Sequence, residues 1–321
     1  MNRVLARVCA FLFYAAIAAH ADEFPSKPVK LVVPVAAGGS ADLLGRLIGQ
    51  KLSDRWKQPV VVENRPGAGG HIGAQYVAKQ PADGYTLLVG LQQIQAVYSM
   101  YPKLMYDPRK ELDTLSVIGN FPSVLIVHPS VNASNVQDFI RLSKQAPDGL
   151  TFGSAGIGSG THMGGELFMA ETGAKLSHIP YRGSSAASAD LMGGQIQAMF
   201  ENLPTAIGLI KGGRVKALGI TGRERYAGLP DLPTVSEQGI PKYEFQGWYT
   251  IAVPHGMPAE LRKKISADLD QIVHSDGAKA KWDELGVTPI GGTPDDSNAF
   301  VRKEADKYSR LVKAANLKAE N

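Results

Sequence analysis

Leu31-Val32-Val33-Pro34-Val35-Ala36-Ala37-Gly38-Gly39-Ser40-Ala41-Asp42 decides how this chain is read. A β-branched run enters a turn of small residues. The turn opens onto Ser40–Trp56, where Leu43, Leu44, Leu47, Ile48 and Leu52 form one apolar stripe of a helix. Ser40 is placed to cap that helix, and Asp42 falls in its first turn. The same design returns at Leu150-Thr151-Phe152-Gly153-Ser154-Ala155-Gly156-Ile157-Gly158-Ser159-Gly160-Thr161-His162. A strand that meets a helix through such a turn aims N–H groups at one spot, and the helix dipole favours an anion there. Two such junctions on one chain imply a carboxylate held between two lobes.

Short β-branched runs alternate with helical stretches along the rest of the chain. Strands are expected at Val29–Val33, Val60–Val62, Thr86–Val89, Leu125–Val127, Leu150–Phe152, Ala198–Phe200, Ala217–Ile220 and Tyr249–Val253. Besides Ser40–Trp56, helices are expected at Gly73–Lys79, Val136–Gln145, Gly164–Glu171, Ala186–Gly193, Thr205–Lys211, Ala259–Ser275 and Pro294–Ala315. This order predicts an α/β fold with mainly parallel sheets flanked by helices, and a ligand beyond the carboxyl ends of the strands. Asn120-Phe121-Pro122-Ser123 and Glu237-Gln238-Gly239-Ile240-Pro241 both read as turns. Crossings there would divide the chain into a discontinuous domain 1, residues 22–121 plus 241–321, and an inserted domain 2, residues 122–240. A single three-layer domain is the alternative.

The chain begins with the pattern of an export signal: Arg3 and Arg7, an apolar stretch from Val8 to Ala19, and Ala19-His20-Ala21 as a cleavage site. Cleavage after Ala21 would leave a mature chain starting at Asp22. The only cysteine, Cys9, lies inside that signal, so no disulfide or thiolate metal site is expected in the mature protein. The mature chain carries 32 basic and 30 acidic residues. That balance and the lack of a basic run exclude nucleic acid as an expected partner.

Catalytic and cofactor signatures are absent from the sequence. There is no G-x-S-x-G, no Walker A and no G-x-G-x-x-G. The seven histidines never fall at i,i+3 or i,i+4, so neither metal nor cofactor is expected. Arg65-Pro66-Gly67-Ala68-Gly69-Gly70-His71-Ile72-Gly73 lacks a nucleotide fingerprint and reads as a structural turn, hydrogen-bonded by Glu63-Asn64.

The site candidates cluster at strand-to-helix turns. Ala36, Ala37, Gly38, Gly39 and Ser40 form the first turn. Asp42 either complements the helix dipole, orients the turn amides or accepts from a ligand N–H. Ser154, Ala155, Gly158, Ser159, Thr161 and His162 form the second turn; Ser159 and Thr161 suit helix caps as well as a polar wall. Ser159 with His162 is also a conceivable nucleophile pair. Tyr181 and Arg182 open another turn, where Arg182 clamps a carboxylate or stands at a solvent-exposed rim. Asn202 ends a strand at the same edge, and Gln92 and Gln93 follow the strand at Thr86–Gly90.

With these residues in view, the chain resembles the Bug family, the periplasmic substrate-binding components of tripartite tricarboxylate transporters. The matching stretches are Val33-Pro34 with Gly38–Asp42, Val62–Gly70, Pro81–Leu88, Gly153–Ser159, His178–Gly183, Leu229–Glu237 and Gly291–Pro294. The resemblance implies a two-lobed Venus-flytrap fold with the cleft between the lobes, a periplasmic location and a monomer. It implies di- and tricarboxylates, acidic amino acids or aromatic acids as ligands, and membrane permease subunits as partners. It also implies that the turns at Ala36–Asp42 and Ser154–His162 grip a carboxylate through backbone groups and ordered waters rather than charged side chains.

This sequence departs from the family pattern at Val35-Ala36-Ala37, at Ala41 and at Leu91-Gln92-Gln93-Ile94-Gln95. The smaller loop residues are expected to leave room for a larger ligand such as an aromatic acid. The expected function is carboxylate capture and delivery to a transporter. The alternatives are a sensing module for a receptor and a secreted hydrolase using Ser159 and His162.

Overall fold

A computed structural model describes residues 24–314 and 317. The expected signal at residues 1–21 lies outside them. The first half runs β1 (Val29–Val33), α1 (Ser40–Trp56), β2 (Val60–Asn64), α2 (His71–Ala78), β3 (Thr86–Leu91), α3 (Gln92–Gln95), α4 (Pro108–Glu111) and β4 (Leu112–Val127). Next come α5 (Val136–Gln145), β5 (Leu150–Ser154), α6 (Gly160–Thr172), β6 (Leu176–Pro180), α7 (Ser184–Met192), β7 (Ala198–Asn202), α8 (Leu203–Lys211) and β8 (Lys216–Ile220). The chain ends with β9 (Gln246–Pro254), α9 (Ala259–Val273), α10 (Asp276–Leu285), β10 (Thr288–Gly291) and α11 (Pro294–Ala314).

The strands pair in two groups that share β4. β2-β1-β3 are parallel, and β9 joins them antiparallel to β3. β6-β5-β7 form a second parallel set. Residues Leu112–Pro122 of β4 pair with β9, and its Ser123–Val127 segment pairs with β7, both antiparallel. β10 and β8 add antiparallel edges to the two halves of β4. The expected parallel pairing therefore holds in β2-β1-β3 and β6-β5-β7, while β4, β8, β9 and β10 make the sheets mixed.

The turn expected at Asn120–Ser123 is instead the middle of β4. Leu115, Val117, Ile118 and Phe121 on one side, and Val124–Val127 on the other, are all buried. Their burial as one extended strand overrides the local turn signal of Asn120 and Pro122. Pro122 is the last residue in register with β9, where its missing N–H removes little of the ladder. Glu237-Gln238-Gly239 does form a turn, a single 3₁₀ turn at Ser236–Gln238.

α1 shows how the apolar stripe becomes packing. Leu44, Ile48 and Leu52 are fully buried. Burying each contributes about 1.5–3 kcal/mol. Gly45 lets the helix lie close on the sheet, because a Cβ there would sit 2.9 Å from Val33 Cγ2. α1 begins at Ser40 as expected, but its cap is Gly39, which supplies no side-chain hydrogen bond. The Ser40 hydroxyl is thereby available for other contacts.

One core lies around β1, β3 and β9 under α1, α9 and α10. A second joins Phe152, Phe168, Phe200, Trp248 and Tyr308. A third covers the opposite face of β7 and β4 with α7 and α8, through Met199, Val124, Ala187, Leu191 and Leu203. Among the described residues no helix is long and apolar enough to cross a membrane.

Candidate ligand-binding site

The first turn is held from behind by Asp42. Its Oδ2 accepts from Gly38 N at 3.1 Å and from Arg46 Nε at 3.1 Å. Its Oδ1 accepts from Asn64 Nδ2 at 3.0 Å, and Asn64 Nδ2 also reaches Val35 O at 3.0 Å. Burial would raise the Asp42 pKa, but hydrogen bonds from Arg46, Asn64 and Gly38 outweigh it and hold the carboxyl below its usual value. Of the expected roles, Asp42 takes the orienting one. Asn64 ties down this turn rather than the glycine turn that follows it in sequence.

The second turn is built from side-chain caps. Ser159 caps α6 by accepting from His162 N, and donates to Gly156 O at 2.6 Å. Thr161 Oγ1 accepts from Ala155 N at 2.8 Å. His162 Nδ1 accepts from Gly158 N at 3.0 Å, and its Nε2 stands 3.2 Å from Glu166. Ser154 Oγ meets His178 Nε2 at 2.6 Å, and His178 stacks on His162 with ring centroids 3.9 Å apart. Burial, reinforced by His162, pushes the His178 pKa down to about 3, so His178 is a neutral structural imidazole. The Ser159 hydroxyl meets the His162 backbone rather than its ring, so the two form no nucleophile–base pair.

The two turns face each other across a narrow crevice that is partly open to solvent. Its wall comprises Val35, Gly39, Ser40, Ala41, Leu91, Gln92, Gln93, Ala155, Ser159, Gly160, Thr161, Gly183, Ser184, Asn202 and Tyr249. These residues belong to the N-terminal ends of α1, α3, α6, α7 and α8, joined by Val35, Ala155 and Tyr249. First-turn N–H groups have no partner inside their own helices. Among the described residues, no Lys, Arg, His, Asp or Glu lines the wall.

One hydrogen-bonded cluster crosses the crevice. Asn202 Nδ2 donates to Ser40 Oγ at 2.8 Å and to Tyr249 OH at 3.0 Å. Ser40 Oγ and Tyr249 OH are 2.6 Å apart, and Ser123 Oγ donates to Asn202 Oδ1 at 3.2 Å. Nearby, Ser185 Oγ donates to Ala37 O at 3.0 Å, and Ala36 N to Arg182 O at 3.4 Å. The β1–α1 turn and the start of α7 are therefore in direct contact.

Of the residues singled out from sequence, Gly39, Ser40, Gln92, Gln93, Ala155, Ser159, Thr161 and Asn202 meet on this wall. Gly38, Asp42, Ser154, Gly158 and His162 stand behind it and shape the turns. Ala36 and Ala37 do not line it: Gly183 and Ser185 close against them, so their small size serves close approach rather than a larger chamber. Arg182 and Tyr181 are also off the wall. They line an adjoining crevice with Pro34 and Gly67–Gly70, which shares Val35 and Ala155 with the first, and the Tyr181 hydroxyl is bound to Asp190 Oδ2 at 2.7 Å. At the start of α7, Ser184 rather than Arg182 is on the wall. Ser184 carries the signal shared by Ser40 and Ser159, a serine directly after a turn glycine at a helix start. Tyr249 carries no such signal, because β9 is brought to the site by pairing with β3 and β4.

Residues 44–317 match the family model described as the tripartite tricarboxylate transporter family receptor. The chain belongs to that family. It is 33% identical to the Bordetella pertussis protein BugT, over 99% of both chains. Among solved structures it is similar to a protein of R. palustris determined with adipate, with a TM-score of 0.89 and 35% identity over 92% of this chain and 99% of that one. It is also similar to MatC of Rhodopseudomonas palustris with bound malate, at a TM-score of 0.84 and 27% identity over 90% of this chain and all of that one. The receptor is thus a periplasmic-binding-protein fold of the solute-binding class, as its resemblance implied.

Proposed function

We propose that the crevice between the β1–α1 and β5–α6 turns captures a small organic carboxylate, which the receptor carries to the permease subunits of a tripartite transporter. The observation that carries this is the convergence of helix N-termini on a wall without ionisable groups other than the Tyr249 phenol. Oriented amides and hydroxyls favour an anion there, and they avoid the cost of burying a cation beside it. The adipate and malate bound by two similar structures agree with a carboxylate in this receptor.

Domain 1 is taken as residues 22–121 plus 241–321 and domain 2 as residues 122–240, with β4 as one connection. The hydrogen bonds from Asn202 to Ser40 and Tyr249 would then form on closure and hold the ligand against both turns. The protein works as a monomer in the periplasm after cleavage behind Ala21, and binding, not turnover, is its activity. The hydrolase alternative finds no support in the geometry of Ser159 and His162.

A thermal-shift panel of aliphatic diacids, hydroxy diacids, acidic amino acids and aromatic acids tests this. At least one carboxylate should raise the melting temperature, by mass action on the folded state. No stabilisation by any of them, with stabilisation by phosphates or neutral sugars, would contradict the proposal.

A further inference from the structure

Glu201 is a fully buried carboxyl one layer behind the crevice. It lies on β7, next to the wall residue Asn202. Strand alternation puts it with Met199 on the face covered by α7 and α8. Its Oε1 accepts from Thr205 Oγ1, while Oε2 is buried with no hydrogen-bond partner. Ser184, at the start of α7, stands beside this carboxyl without a hydrogen bond to its Oε2, and it also lines the crevice wall. Ser184 Oγ also faces the first turn, only 2.8 Å from where a Cβ on Gly39 would sit.

The surroundings supply no compensating cation. β4 presents Val124 in register with Glu201, α7 presents Ser184, α8 presents Thr205, and β9 presents Tyr249. Of these only the Tyr249 phenol titrates, and among the described residues no Lys, Arg or His acts on the Glu201 charge. Burial pushes the Glu201 pKa up to about 7, although Thr205, Ser184 and the Asn202 backbone favour the charged form. An ionised Glu201 would repel an anion in the crevice and draw the Ser184 hydrogen to itself. A protonated carboxyl is a donor, which leaves the Ser184 hydrogen for a ligand.

We propose that Glu201 is a positioning residue for the bound carboxylate: protonated, it donates to Ser184 Oγ and turns the Ser184 hydrogen toward the crevice, so carboxylate capture is coupled to a proton held on Glu201. The proton comes from solvent, and no covalent bond other than the carboxyl O–H is made or broken. The inference rests on the carboxylate site proposed above and deepens it. It makes this receptor favour carboxylates presented at mildly acidic pH.

The test is calorimetric titration of adipate and of malate at pH 8, in two buffers of different ionisation enthalpy, into the wild-type protein and Glu201→Gln. For the acid that binds, wild type should take up close to one proton per ligand, and its Kd should rise severalfold from pH 7 to pH 8. Glu201→Gln should take up none and show a flat Kd. If that variant does not fold, ¹³C-carboxyl NMR of wild type gives the same answer: one buried carboxyl should titrate near neutrality when free and stay protonated at pH 8 when liganded. Binding without proton uptake, or equal uptake in Glu201→Gln, would overturn the coupling and leave the carboxylate site standing. Failure of both acids and of the wider carboxylate panel to bind would remove the site and the coupling together.

Discussion

Asn202 Nδ2 donates to Ser40 Oγ at 2.8 Å across the crevice, joining the end of β7 to the start of α1. The contact exists because Gly39, not Ser40, caps α1, which releases the serine hydroxyl. Asn202→Ala should weaken carboxylate binding about tenfold, the scale of one or two net hydrogen bonds. Calorimetry checks this, and an unchanged Kd would show that the cluster does not hold the liganded form.

Gly39→Ala separates closure from folding. The backbone there, at φ −90° and ψ 175°, accepts alanine without strain, but the added methyl would meet Ser184 Oγ at 2.8 Å. The ligand-free variant should melt within a few degrees of wild type. Its affinity should fall by about tenfold or more, as the close approach of α7 is blocked. Paired melting curves and titrations measure the two effects.

Asp42 predicts a pH dependence of stability. Its folded pKa lies below the unfolded value, because hydrogen bonds from Arg46, Asn64 and Gly38 outweigh its burial. The stability it contributes is therefore present above the unfolded carboxylate pKa and is lost as pH falls through the folded value. Melts between pH 6 and pH 3 should show wild type losing its advantage over Asp42→Asn as acid is added. Parallel curves would sink this account of the turn.

Glu201 predicts the opposite sign without any ligand. Its pKa is raised to about 7 by burial, so its contribution is complete below the unfolded value and lost as pH rises through about 7. Wild type should lose stability relative to Glu201→Gln between pH 5 and pH 8, read from denaturant midpoints at constant slope.

Ser159 is both a cap and a wall residue. Ser159→Ala should destabilise the protein by about 1 kcal/mol through loss of the cap. It should also weaken ligand binding without changing any turnover of esters or amides, which should be absent in both proteins. Ester cleavage lost on this substitution would restore the hydrolase alternative.

The sequence was most informative where local chemistry and tertiary role coincide. The β1–α1 and β5–α6 turns were legible from β-branched runs, turn glycines and helix-starting serines. Of β4 only Leu125–Val127 was legible: Asn120 and Pro122 carry a turn signal that burial on both sides overrides, and the segment 112–119 is a strand through its pairing with β9. β10 was missed: four residues with Pro289 inside and Gly291 at the end make a strand only by pairing with β4. Tyr249 and Ser184 reach the wall through long-range pairing and helix docking, which no single stretch of sequence records. Arg182 is exposed and off the wall, and the crevice is lined by backbone dipoles and hydroxyls instead.

The central claim is that this wall recognises negative charge without a charged side chain. The most direct measurement compares the tightest-binding carboxylate with its uncharged amide counterpart, adipate against adipamide where adipate is that ligand, by calorimetry at pH 6.5. The acid should bind and the amide should be weaker by about a hundredfold or more, since the helix N-termini favour the anion. Equal affinities would contradict the account, because shape alone would then explain what the crevice holds.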